Sequence, residues 1–205
     1  MKKLTTFPLT SFKVLFVMLS LLITCSYVLK NNQEEEDYYV FHDGWINHGI
    51  PTGFMGEKDG KSIKLEDAWK ENPYKGEKCI KMSIDKSESW RGLHIQYTGA
   101  WNVSVEPTTP LADLSGYDKL EFHARADVGD AGFYIIPEIG VGGGGGFEDR
   151  KSETFLEVGP EWRKYTINLK NMDLKRVNTM LYMTLNVGTL YLDEIKFVKS
   201  KKKKK

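Results

Sequence analysis

Between Tyr38 and Val198 apolar and polar residues alternate with a period of two, in short runs separated by Gly, Pro, Asn and Asp. Successive side chains of a strand point to opposite faces, so this period predicts half-buried strands rather than helices. The predicted strands are Tyr38–His42, Ser62–Leu65, Lys78–Asp85, Gly92–Thr98, Lys119–Ala126, Gly132–Ile139, Thr154–Val158, Arg163–Leu169, Met180–Val187 and Thr189–Val198. No amphipathic helix of ordinary length competes with them. Such runs, punctuated by turn residues, predict an all-β domain, a two-sheet antiparallel β-sandwich. Val141–Gly146 (VGGGGG) has too little side chain to hold a register and is predicted to be a mobile loop. No Lys-Ser or Lys-Thr follows these glycines, which excludes a phosphate loop.

The alternation also assigns faces. Leu93, Ile95 and Tyr97 oppose His94 and Gln96, and Leu120, Phe122 and Ala124 oppose Glu121, His123 and Arg125. Phe133, Ile135 and Ile139 oppose Tyr134 and Glu138, while Leu181, Met183, Leu185 and Val187 oppose Met180, Tyr182, Thr184 and Asn186. If these strands share one sheet, its outer face gathers flat rings and directional hydrogen-bonding groups. Any sandwich has a polar outer face, so the pattern alone does not make a site.

One position breaks the pattern. In Thr189–Phe197 (TLYLDEIKF), strict alternation puts Asp193 on the face of Tyr191, Ile195 and Phe197, which should seek a core. A carboxylate taken out of water needs a partner. Either Asp193 accepts backbone or Arg hydrogen bonds near a sheet end, or it binds a metal.

The ends stand apart from this domain. Met1–Lys13 carries Lys2, Lys3 and Lys13 without an acid, and Val14–Thr24 is apolar or small up to Cys25, the layout of an export signal over residues 1–25. Leu22–Cys25 resembles a bacterial lipoprotein cleavage box, with Thr24 where Gly, Ala or Ser is usual, and so marks Cys25 as a lipidation candidate. Cleavage nearby or an uncleaved anchor are the alternatives, although residues 14–29 between Lys13 and Lys30 fall short of the ~20 apolar residues a spanning helix needs. Residues 26–37 form an acidic linker, residues 38–198 the sandwich and residues 199–205 a disordered lysine tail. The expected location is extracytoplasmic, secreted or tethered to the membrane through the N-terminal segment. With a net charge of +1 and both basic ends set aside, the domain is slightly acidic, which argues against nucleic acid as a partner. Cys79 alternates with apolar residues and reads as a structural thiol. Asn102-Val103-Ser104 fits a glycosylation acceptor, relevant only in a eukaryotic secretory pathway.

Taken in order, Phe41–Trp45 (FHDGW), Gly53–Glu57 (GFMGE), Gly76–Met82 (GEKCIKM), Trp90–Gln96 (WRGLHIQ), Asp113–Arg125 (DLSGYDKLEFHAR), Glu161–Leu169 (EWRKYTINL) and Tyr191–Ile195 (YLDEI) resemble the galactose-binding-domain-like jelly rolls. That group includes many carbohydrate-binding modules. The resemblance implies a structural calcium near one edge, with Asp43 and Asp193 at matching acidic positions and Glu57 where relatives more often have Asp. Calcium takes six to eight oxygens, so backbone carbonyls would have to complete the shell. It also implies sugar bound on a concave sheet face or at loop tips. Trp90 and Trp101 are the candidate platforms, although Trp101-Asn102 reverses the Asn-Trp order of relatives. His94, Gln96, Arg125, Tyr134 and Tyr182 would bond the hydroxyls, whereas Trp45, Trp69 and Trp162 read as structural.

Catalysis is not expected. Glycoside hydrolysis would need two carboxyl groups about 5–10 Å apart, and no pair is singled out by spacing. No Ser-His-Asp order, metalloprotease helix or nucleophile elbow occurs. The expected function is non-catalytic binding of a glycan or polysaccharide. The alternative is a structural or protein-interaction subunit of the cell envelope that has no sugar site.

Overall fold

The computed structural model describes residues 37–47, 49–51, 63–84, 91–97, 111–127, 138–143, 150–185 and 188–200. These all lie in the unit Asp37–Lys205. The strands are β1 (Tyr38–Phe41), β2 (Gly49–Pro51), β3 (Ile63–Trp69), β4 (Cys79–Ile84), β5 (Arg91–Tyr97), β6 (Lys119–Asp127), β7 (Glu138–Gly143), β8 (Arg150–Phe155), β9 (Arg163–Asn168), β10 (Val177–Leu185) and β11 (Gly188–Val198). They form two antiparallel sheets. Sheet A runs β3-β4-β11-β6-β9, with β1 also on β11, and sheet B runs β2-β5-β10-β7-β8. Only β3–β4 and β7–β8 are both consecutive in the chain and neighbours in a sheet; the other connections cross between sheets. This is the predicted two-sheet antiparallel sandwich. Among the described residues no helix is long and apolar enough to cross a membrane.

The period-two pattern builds the core directly. Ile80, Met82, Ile84, Leu120, Phe122, Leu190 and Leu192 of sheet A, with Leu93, Ile95, Ile139, Val141, Leu181 and Met183 of sheet B, are almost wholly buried in one apolar cluster. Cys79 is wholly buried outside that cluster, near Asp193 and Arg125, and burial pushes its thiol up to about 11, so it stays protonated and inert.

The structure departs from the expected faces at β11. Leu190 and Leu192 face the core, and then Ile195 and Phe197 do, so the inward set changes from even to odd numbers. Against β6, Asp193 pairs with His123 and Lys196 with Glu121, leaving two residues of β11 opposite one of β6. This is a β-bulge, with Glu194 in the left-handed region at φ 50°. Tyr191 and Asp193 therefore lie on the outer face of sheet A and do not share a face with Ile195 and Phe197.

Two further expectations change. Val141–Gly143 is not loop but the end of β7, held between β10 and β8 because a ladder needs backbone groups rather than side chains. Residues 144–149 lie outside the described residues. The strands carrying Arg125 and His94 are also not neighbours: β6 belongs to sheet A, while β5 and β10 belong to sheet B.

Candidate functional site

The outer face of sheet B is built in cross-strand rows. Thr184 of β10 pairs with Gly92 of β5 and Glu138 of β7, Tyr182 pairs with His94 and Gly140, and Thr179 pairs with Gln96 and Gly142. The row through Tyr182 thus collects a phenol and an imidazole, and the next row a hydroxyl and an amide. Gly140 and Gly142 add no side chain, because the inward positions of β7 are taken by Ile139 and Val141. His94 Nε2 and Thr179 Oγ1 are hydrogen-bonded at 2.7 Å. Burial drives the His94 pKa down to about 4, so the ring is neutral at physiological pH.

This face is closed over. Tyr182 is 1% exposed, Gln96 3%, His94 4% and Thr179 5%. Gln96 Oε1 and Asn178 Oδ1 are buried acceptors without a hydrogen-bond partner, Asn178 standing next to the Thr179 that pairs with Gln96. Leaving such an acceptor unpaired costs about 1–3 kcal/mol, so the face is chemically incomplete.

The structure thus brings together His94, Gln96 and Tyr182 from the predicted binding set. Arg125 lies on the opposite side of the sandwich, its guanidinium 3.6 Å over the Tyr191 ring. Trp90, Trp101 and Tyr134 lie outside the described residues, as do Glu57 and Cys25. Asn178 and Thr179 were missed because the predicted strand began at Met180. Their only signal was a pair of polar residues immediately before an apolar run.

On the outer face of sheet A, Asp43 and Asp193 hold down the β3–β4 loop. Asp193, wholly buried, accepts from Tyr74 N (3.0 Å) and Lys75 N (3.1 Å) through Oδ2 and from Glu194 N (2.8 Å) through Oδ1. Asp43 Oδ1 accepts from Glu77 N (2.7 Å) and Lys78 N (2.9 Å). Burial raises the Asp193 pKa against the lowering pull of those amides, whereas the amides of Lys78 and Glu77 lower that of Asp43. Glu194 meets His42 and, at 3.3 Å, Lys75.

Three of the four carboxylate oxygens of Asp43 and Asp193 accept backbone amides, and Glu57, the third expected calcium ligand, lies outside the described residues. Among the described residues no group of three or more His, Cys, Asp or Glu side chains stands close enough to hold a metal ion. Of the two partners weighed for Asp193, the structure shows backbone hydrogen bonds.

The fold is a two-sheet jelly-roll sandwich similar to those of carbohydrate-binding modules. The family 11 carbohydrate-binding module of the cellulosomal cellulase Lic26A-Cel5E from Clostridium thermocellum superposes with a TM-score of 0.51 at 12% identity, covering 80% of this chain and 95% of the module. The same family 11 module from that organism in complex with a β-1,3-1,4-mixed-linked tetrasaccharide gives 0.51 and 12%, covering 80% and 96%. A family 29 module superposes more loosely, with a TM-score of 0.47 at 10% identity, covering 80% of this chain and 91% of that one. No protein-family description matches the sequence, and no curated protein does. At these identities the likeness is one of fold.

Proposed function

We propose that the domain binds a glycan on the outer face of sheet B, without catalysis, as an exported and membrane-tethered module. The observation that carries this is the buried, unpartnered Gln96 Oε1 in the row of Thr179, next to the row of His94 and Tyr182, with a second unpartnered acceptor, Asn178 Oδ1, on the residue before Thr179. Sugar hydroxyls are donors that would satisfy those acceptors, and Tyr182 offers a ring with a polar tip beside them. The fold supports the reading, since the family 11 module that this chain resembles holds an oligosaccharide. Because the face is closed, a ligand must select an opened form, and apparent affinity falls in proportion to the fraction open. Residues 1–25, with Cys25, supply the export and tethering element in this reading.

The same closure favours a second reading, in which the sandwich is a structural or protein-interaction subunit of the envelope. Titration of the protein with the β-1,3-1,4-linked tetrasaccharide and with a broad glycan array decides between them. Binding that Gln96→Ala or Asn178→Ala weakens about tenfold, the usual scale for a buried hydrogen bond to a polar ligand, supports the glycan site. Trp90→Ala and Trp101→Ala test the platforms expected from the sequence. Binding to no glycan, or binding indifferent to all four changes, moves the assignment to the interaction reading.

A further inference from the structure

The β3–β4 loop carries an exposed aromatic ring whose setting is unusual for a loop residue. Tyr74 is 45% exposed, although one face of its ring is stacked on His123 with centroids 3.6 Å apart and planes 11° from parallel. Trp162, half-buried just before β9, stands 6.1 Å away at 60°, so the two rings form an open corner. The loop is fastened on all sides. Asp193 takes the amides of Tyr74 and Lys75, Asp43 takes those of Glu77 and Lys78, and Asn72 O accepts the Trp162 indole N–H at 3.0 Å. Gly76 stands over Asp43 at φ 68°, where an added Cβ would come within 2.1 Å of the carboxylate.

An exposed side chain normally keeps its rotamer freedom, and holding one still costs entropy that folding has no need to spend. A ring fixed before anything touches it spares a ligand that ordering cost. Charge narrows the class of ligand. Lys75 pairs with Glu194 at 3.3 Å, Lys164 with Glu121 at 2.6 Å and Arg125 with Asp127 at 3.4 Å, so these three cations beside the rings are already matched by acids. What remains is a flat apolar face with polar groups at its rim, which suits a neutral, ring-shaped polyol.

We infer that Tyr74 and Trp162 form a second glycan platform on the outside of sheet A, on the opposite side of the sandwich from the rows around Tyr182, with Asp193 as a positioning residue that holds Tyr74 in place. The inference rests on the glycan-binding reading of the domain but on a different set of residues, so the two can fail separately.

The test is a screen of the full chain on an array of neutral oligosaccharides, followed by affinity measurement on each hit for wild type, Tyr74→Ala, Tyr74→Phe and Gln96→Leu. Tyr74→Ala is expected to weaken binding to at least one glycan about tenfold, with Tyr74→Phe staying within about threefold because it keeps the ring. The melting temperature of Tyr74→Ala checks that the fold is intact. Binding that Tyr74→Ala leaves unchanged overturns the platform, whatever Gln96→Leu does, and an array without hits overturns it too. Loss in Gln96→Leu alone keeps the sheet B site and removes this one; loss in Tyr74→Ala alone does the reverse.

Discussion

On the outside of sheet A, Lys75, Lys81, Arg125, Lys164 and Lys196 each meet an opposite charge, and Lys81 and Arg125 also sit over the rings of Trp69 and Tyr191. On the outside of sheet B, Gln96 buries an amide oxygen that meets no donor, as does Asn178, the residue before Thr179 in β10. Sheet A does hide nitrogens of its own without partners, Trp69 Nε1, Arg125 Nε and His123 Nδ1, but these belong to side chains in ring stacks or cation–ring contacts. The difference separates two uses of a polar sheet face. Where charges and rings close on one another, the face stabilises the fold and positions a loop; where acceptors are buried without donors, the face carries a cost that its own side chains do not offset.

The strongest way to break the comparison is to remove the anchor of the sheet A loop. Asp193→Ala leaves three amides without their acceptor and is expected to cost about 3 kcal/mol or more, a fall in Tm of roughly 6–12 °C in thermal denaturation. A change of less than a degree would show that the loop does not depend on it. In sheet B, Gly92→Ala drives a Cβ to 1.8 Å from the Met183 carbonyl oxygen across the β5–β10 ladder. Since backbone must shift to admit it, the expected cost is about 1–3 kcal/mol, measurable by urea titration.

Gln96→Leu sharpens the contrast from the other side. Replacing an unpaired buried acceptor with an apolar group of similar size is expected to leave stability unchanged or raise it by up to about 1 kcal/mol, while any glycan binding at that face is lost. A clear loss of stability would mean that Gln96 is satisfied after all.

The two acids also differ in sign with pH. Asp43 has a lowered pKa, so its contribution is present above the ordinary aspartate range and is lost as pH falls through its folded value. Asp193 has a raised one, so its contribution is complete below the ordinary range and is lost as pH rises through its folded value. Tm measured from pH 7 down to pH 3 is therefore expected to show wild type gaining on Asp193→Asn as the solution becomes more acid. The smallest effect is expected from calcium. With five amides already on Asp43 and Asp193, added calcium or chelator should move Tm by no more than about a degree, whereas a larger rise with calcium would bring Glu57 and its neighbours into play.

Much of the sandwich is legible in the sequence. The alternation in Lys78–Asp85, Gly92–Thr98 and Lys119–Ala126 marks strands, and in the last two it names the inward residues, because burial on one face imposes a period of two wherever it acts. The site was less legible. His94, Gln96 and Tyr182 were assigned to one polar face and do share it, yet Arg125 was placed with them and belongs to the other sheet. A period tells which way a side chain points relative to its own strand, not which strand lies beside it. Tyr74 was overlooked because it lies in no alternating run. Its one signal is an aromatic between Pro73 and Gly76 in an otherwise polar loop.

Asp193 shows where that boundary runs. The sequence by itself determined that a carboxylate would stand in a strand too apolar to leave it in water, and that it would need a partner. The tertiary structure decided everything about the partner. The left-handed turn at Glu194 slips the register by one residue and turns Asp193 away from Ile195 and Phe197, and a loop more than a hundred residues earlier in the chain brings the amides. Local pattern can record the cost of burying a charge, because that cost belongs to the residue; it cannot record the compensation, which belongs to whichever distant backbone the fold delivers.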